Sequence, residues 1–174
     1  CPKDQTAIED LEMEYQERKE KLYYIKYKVL DGKGGRYITI TTARPETIAA
    51  DVAIAIYPNH PQYANFLGKK AENPFTHTEI PIIQDERVEK DFGTGALKIT
   101  PGHDLLDYEI GKDHNLPIIH VIGKNGRITE QDPRFAGLKI DEARAEAVKY
   151  LAEKGHIVDE KDYIHSVPVC ERCK

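Results

Sequence analysis

What most constrains this chain is the recurrence of short runs of β-branched and aromatic residues between turn-forming ones. LYYIKYKVL (22 to 30) and YITITT (37 to 42) are separated by DGKGG, whose glycines suit a hairpin connection. VAIAIY (52 to 57), IPII (80 to 83), ALKIT (96 to 100) and PIIHVI (117 to 122) read as further strands, most of them bounded by Pro, Gly, Asn or Asp. Helical spacing comes late. In IDEARAEAVKYLAEKG, residues Ile140, Ala143, Ala147, Val148 and Leu151 fall on one face, and Gly155 stands where a helix stops. A second helix is expected from about Asp104 to His114. No internal repeat interrupts the pattern, so the expected fold class is α+β: a single domain over residues 1–174, with a mixed, barrel-like β-sheet core and peripheral helices.

Composition narrows the function. A chain of 174 residues with 40% apolar content can build one real core, and 32% charged residues make an ordinary water-facing surface. No apolar run reaches the ~18 residues a membrane span needs, and the opening CPKDQTAIEDLE lacks the basic and apolar regions of a secretory signal. No membrane partner is therefore expected, and a cytoplasmic location is. A net charge of −5 argues against coating long nucleic acid, which requires a broad basic face. Lys69-Lys70 or Arg127, Arg134 and Lys139 leave room for a few phosphate contacts; as solvated surface charge they need no partner.

Three cysteines make no disulfide framework. Cys170 and Cys173 have the spacing of a zinc knuckle, and Cys1 with Asp4 would be its degenerate partner at the other end. A structural zinc there would bring residues 1–4 and 170–173 together, as an insertion into a longer host chain requires. The same thiols also fit two unconnected ends. Position 1 is not Met, which fits a piece of a longer chain.

The chemistry concentrates in two stretches. In KITPGHDLLDYEIG (98 to 111), Pro101 ends a strand, and Asp104 falls at the N-terminus of the following helix. Lys98 and Thr100, two apart on a strand, share one face; Asp104 and Asp107 share a helix face, with Leu106 and Ile110 expected opposite. A cation, a hydroxyl and two carboxylates can thus converge. A plain Lys98 to Asp ion pair, with Asp104 as an ordinary helix cap, fits the same residues. In TTARPETIAAD (41 to 51) the strand breaks at Pro45, among Thr41, Thr42, Arg44, Glu46 and Thr47, a concentration suited to a polar, hydroxyl-bearing ligand.

Other motifs fail. Gly93-Thr94-Gly95 lacks the third glycine of a dinucleotide loop, and GKGG (32 to 35) is not followed by the Lys-Ser/Thr of a P-loop. His103-Asp104 has no second histidine at helical spacing, which speaks against a metal phosphohydrolase.

TTARPET together with VEKDFGTGALKITPGHDLLDYEIGKDHNLP resembles the editing domain inserted in the class I aminoacyl-tRNA synthetases for valine, isoleucine and leucine, closest to the valyl type. The resemblance runs nearly end to end, except that Asp4 stands where a cysteine is expected. It implies a hydrolase that removes threonine from mischarged valine tRNA, with the tRNA acceptor end and the rest of the synthetase as partners and no cofactor for hydrolysis. By the same resemblance Asp104 pairs with the substrate α-ammonium, Asp107 and Thr47 read the side-chain hydroxyl or order water, and Lys98 and Thr100 line the pocket. Arg44 and Thr42 steady the ester or terminal adenosine, Phe92 and Glu89 contact the nucleotide, and His103 orients polar groups. The same role in an isoleucyl enzyme, or a non-catalytic grip on the acceptor end, is the alternative.

Overall fold

The computed structural model describes residues 6–9, 12–32 and 34–171. The expected hairpin forms, between β1 (Met13–Leu30) and β2 (Tyr37–Thr42), paired antiparallel from Tyr23↔Thr42 to Lys28↔Tyr37. Its inward positions are apolar by alternation: Ile25, Tyr27 and Val29 on β1, Ile38 and Ile40 on β2, all buried.

Four short strands extend this hairpin: β3 (Ala53–Ile56), β4 (Lys70–Glu72), β5 (Glu79–Gln84) and β6 (Ala96–Ile99). The order is β2-β1-β4-β5-β3-β6. Only β3 and β5 pair in parallel, so the sheet is mixed, and β6 returns against β2 to leave a nearly closed barrel. The expected fold class holds. Strand β3 explains how two cores coexist: Ile54 and Ile56 join the main cluster, while Ala53 and Ala55 face a second cluster with Val52, Val88, Ile99 and Ile110. A strand buried on both faces reads as an unbroken apolar run, as VAIAIY does.

Two helices lie outside. The first, α1 (Leu105–Asp113), is capped by Asp104 and places Ile110 in the second cluster; α2 (Ile140–Glu153) places Ala143, Ala147 and Leu151 in the main one. Gly155 follows α2 at φ 69°, the left-handed conformation that ends a helix.

Three departures from the sequence expectation have physical causes. PIIHVI is no strand: Pro117 donates nothing, and the Val121 N–H goes to the His103 ring instead of a ladder. Strand β4 is three residues long with only Ala71 buried, too short for a periodic signal. The largest addition is β7 (Ile157–Cys170), which pairs with β1 from Met13↔Cys170 to Ile25↔Ile157. Residues 13–22 of β1 pair with β7 alone and join neither apolar cluster, and their largely charged sequence carries no apolar alternation. The pairing sets Cys170 beside Met13; Cys1, Asp4 and Cys173 of the expected zinc knuckle lie outside the described residues. No helix among the described residues is long and apolar enough to cross a membrane.

Candidate active site

Where β2 breaks at Pro45, residues Pro45–Ala50 form a buried 3-10 segment that carries Thr47 inward and delivers Asp51 to the start of β3. Strand β6 runs antiparallel to β3 and presents Lys98 and Thr100 to these side chains. The Lys98 ammonium donates to Thr47 Oγ1 at 2.9 Å, to Asp51 Oδ1 at 3.0 Å and to the Thr100 hydroxyl. Thr100 Oγ1 donates to Asp51 Oδ1 at 2.7 Å, and the buried Tyr27 hydroxyl to Asp51 Oδ2 at 2.6 Å. All three ammonium protons are therefore taken, as a buried cation demands. Burial pushes the Asp51 carboxyl up, against the pull of Lys98, Tyr27 and Thr100; burial and the Asp51 charge push the Tyr27 hydroxyl up as well.

Above this floor opens a cavity of about 290 Å³. It is lined by Thr41, Thr42, Arg44, Thr47, Lys98, Thr100, His103, Asp104 and Asp107. Phe92, Tyr163 and His165 form an aromatic rim, with Tyr163 and His165 stacked at 4.9 Å between ring centres. Phe92 reaches the rim because its loop presses on β2: a Cβ on Gly93 would stand 2.1 Å from Thr41 Oγ1, and Gly93 has φ 60°. An adjoining cavity of about 420 Å³ shares Phe92, Asp104 and Tyr163 and adds Arg87 and Glu89.

Asp104 and Asp107 meet different fates on one helical turn. Asp104 is exposed at the mouth and accepts the Asp107 N–H at 3.1 Å, the cap the sequence suggested. Asp107 is buried, its Oδ2 accepting the Thr100 N–H at 2.8 Å; burial pushes its carboxyl up to about 6. Leu106 lines the cavity beside them, and only Ile110 turns into the core, so the expected pairing of Leu106 with Ile110 fails. The turn also needs Gly102 for space. A Cβ there would meet Ile119 O at 2.2 Å, because residues 117–122 cross directly over this turn.

His103 is spent on that crossing. The Val121 N–H donates to His103 Nε2 at 2.9 Å, so this nitrogen is unprotonated, and burial with the Arg44, His120 and Lys98 charges brings the imidazole down to about 4. Its carbonyl accepts Arg44 Nη1 at 2.8 Å. The sequence-derived residues thus converge on one cavity, with Glu89 one compartment away. The expected Lys98 to Asp ion pair exists, but with Asp51. The sequence did contain a signal for it: Asp51 directly precedes VAIAIY and Lys98 sits inside ALKIT, two lone charges flanked by apolar strand residues. Tyr163 and His165 had no signal, since β7 had none. Among the described residues, no group of three or more His, Cys, Asp or Glu is placed to hold a metal ion.

A mixed, nearly closed barrel with a polar pocket at its broken strand defines a domain class. The leucyl-tRNA synthetase editing-domain family matches residues 62–161, more than half the chain, and the chain belongs to that family. Among full-length relatives it is 47% identical to the valine–tRNA ligase of Aquifex aeolicus over 189 residues, covering 100% of this chain and 16% of that protein. The enzymes of Thermotoga maritima and Thermus thermophilus are 46% and 48% identical, each covering 99% of this chain and 20% of the relative. The chain thus spans about a fifth of their length or less. The solved GlLeuRS-CP1 superposes with a TM-score of 0.62 at 12% identity, over 86% of this chain and all of that one. The Agrobacterium radiobacter K84 agnB2 LeuRS-tRNA-LeuAMS complex gives 0.60 at 20% identity, over 86% of this chain and 20% of that one. At these identities the structures share the fold.

Proposed function

We propose that this chain is the editing domain of a valyl-tRNA synthetase and hydrolyses the ester of threonine wrongly attached to valine tRNA. The observation that carries the reading is the hydroxyl-rich floor, Thr47 and Thr100 fixed by a fully bonded Lys98, beneath a cavity with an exposed carboxylate at its mouth. Threonine and valine are near isosteres, and an apolar synthetic site rejects threonine by only about a hundredfold, a known figure for valine-activating enzymes rather than a result of this structure. A second site that binds the hydroxyl reverses the choice, because valine would leave its polar groups unpaired.

In this reading Asp104 receives the α-ammonium, and Thr47, Thr100 and Asp107 meet the side-chain hydroxyl and the attacking water. Asp107, with its carboxyl near 6, is ionised at neutral pH and accepts a proton from that water as its oxygen adds to the ester carbon. The carbon–oxygen bond to the ribose then breaks, and the ribose oxygen takes the proton. Arg44 spends one of five N–H donors on His103 O and directs others to the ester. Phe92 and Glu89, at the adjoining cavity, take the terminal adenosine of the tRNA acceptor end, while the remainder of the synthetase holds the tRNA body. No catalytic metal is needed, since the Lys98 ammonium fills the place among Asp51, Thr47 and Thr100 that a cation would occupy. Hydrolysis of Thr-tRNA(Val) measured beside Val-tRNA(Val) tests the proposal: threonine should be released much faster, and equal or absent release of both would overturn it.

A further inference from the structure

Two residues that line the cavity, Arg44 and His165, are joined by one chain of charges. Arg44 has Nε 3.7 Å from Glu46 Oε1. Glu46, with no exposed surface, is clamped by Arg144 Nε and Nη2 at 3.0 Å each. The third limb of the same guanidinium, Nη1, donates to Glu20 Oε1 at 2.9 Å, and Glu20 Oε2 meets His165 Nε2 at 2.9 Å. His165 lines the same cavity, at its rim. The chain therefore starts and ends at the cavity, whereas Arg144 itself lies on α2 and does not line it.

Two facts make this more than a buried ion pair. Glu46 sits between Arg44 and Thr47 in the 3-10 segment, so wherever its carboxylate is held, the neighbouring cavity residues follow. The planar guanidinium offers several donors in a fixed fork, which sets orientation as well as charge; a lysine ammonium could neutralise Glu46 but not define the angle to Glu20. We propose that Arg144 is a positioning residue for the hydrolytic site, setting the spacing of the Arg44–Thr47 segment against the ribbon that carries His165. The proposal rests on the function given above and adds to it a residue outside the pocket.

The test uses two variants made in the complete polypeptide. Arg144→Lys keeps a cation beside Glu46, and Glu20→Gln removes the negative charge between Arg144 and His165 while leaving the Glu46 clamp. Both should melt close to the parent. For Thr-tRNA(Val), kcat should fall about tenfold or more in Arg144→Lys and less in Glu20→Gln, with KM within about twofold, since displacement by a fraction of an ångström impairs the reaction rather than the grip on tRNA. A crystal structure of Arg144→Lys should show Arg44 displaced from the His103 carbonyl. Unchanged kcat in both variants, with Arg44 in place, would overturn the proposal, as would a loss of kcat that disappears at a temperature where the variant is fully folded. If the parent releases no threonine, the functional reading falls, while the position of Arg44 still decides the inference.

Discussion

Two lysine–aspartate contacts of nearly equal length sit in opposite parts of the molecule. In the barrel Lys98 lies 3.0 Å from Asp51, with side chains 8% and 0% exposed; on the ribbon Lys21 lies 2.7 Å from Asp162, with side chains 45% and 87% exposed. By distance the ribbon pair is the stronger. Coulomb energy scales inversely with dielectric as well as distance, so solvent weakens the ribbon pair several-fold while the barrel pair keeps most of its attraction. The barrel pair must also offset its own desolvation, which it does with Tyr27, Thr47 and Thr100 as additional partners. Separation alone says little about what a charge pair does; the surroundings decide whether it holds a site together or decorates a surface.

The largest effect should come from breaking the barrel pair. Lys98→Met leaves Asp51 buried with only hydroxyl donors, and removing one partner of such a pair costs roughly 3–5 kcal/mol. Thermal melts should show a large loss of stability, and deacylation of Thr-tRNA(Val) should vanish even in the fraction that stays folded, because Thr47 and Thr100 lose their common donor. A fully active variant would remove Lys98 from the site.

Asp104→Ala should affect activity as strongly and stability far less. Its fold contribution is one cap bond to the Asp107 N–H, worth about 1 kcal/mol. Deacylation should be abolished, because among the described residues lining the cavity Asp104 is the one exposed carboxylate, the charge an α-ammonium requires. Wild-type hydrolysis, or a chain that fails to fold, would return Asp104 to the status of a simple helix cap.

The same contrast explains how much of the molecule was legible in its sequence. Barrel strands cover a core, so Ile25, Tyr27, Ile38 and Ile40 had to alternate, and β3 had to be apolar throughout. Pro45 and Pro101 marked the rims where polar side chains gather. Ribbon residues 13–22 and most of β7 join neither apolar cluster, so selection on burial left no period in EYQERKEKL, and the partnership of His165 with Glu20 across 145 residues is invisible locally. Asp51 and Glu46 were present in the polar stretch, yet only the fold shows which cations answer them: Lys98 from β6 and Arg144 from α2. The site's composition could be read, but its pairing could not.

A smaller effect, of opposite sign at two residues, should appear with pH. Asp107 is raised from 3.8 to about 6 in the folded chain, so the stabilisation from its proton is complete below about pH 4 and is lost as pH rises through about 6. His103 is lowered from 6.5 to about 4, so its contribution is complete above about pH 6.5 and is lost as pH falls through about 4. Between these limits the two oppose each other, and the parent's melting temperature should vary little. Asp107→Asn keeps an acceptor for the Thr100 N–H and removes the titration. It should melt higher than the parent near pH 7.5, converge with it near pH 4, and lose stability steadily from pH 6.5 to 4, because protonation of His103 is no longer offset. Its deacylation should be lost at every pH, since an amide takes no proton from water.

The smallest effect belongs to the ribbon pair, and its smallness is the point. Lys21→Ala removes contacts to Asp162 at 2.7 Å and to Glu160 at 3.6 Å, all three groups substantially exposed. Water replaces the lost partners at once, and holding a long side chain in one rotamer costs entropy that the pairing barely recovers. Melting temperature and the rate on Thr-tRNA(Val) should both be indistinguishable from the parent, at low salt as well as high. A measurable destabilisation that vanishes in salt would show that the ribbon charges act together as a network. A change in rate without a change in melting would show instead that ribbon position is transmitted to Tyr163 and His165 at the rim, and would make the outer face of β1 and β7 part of the site.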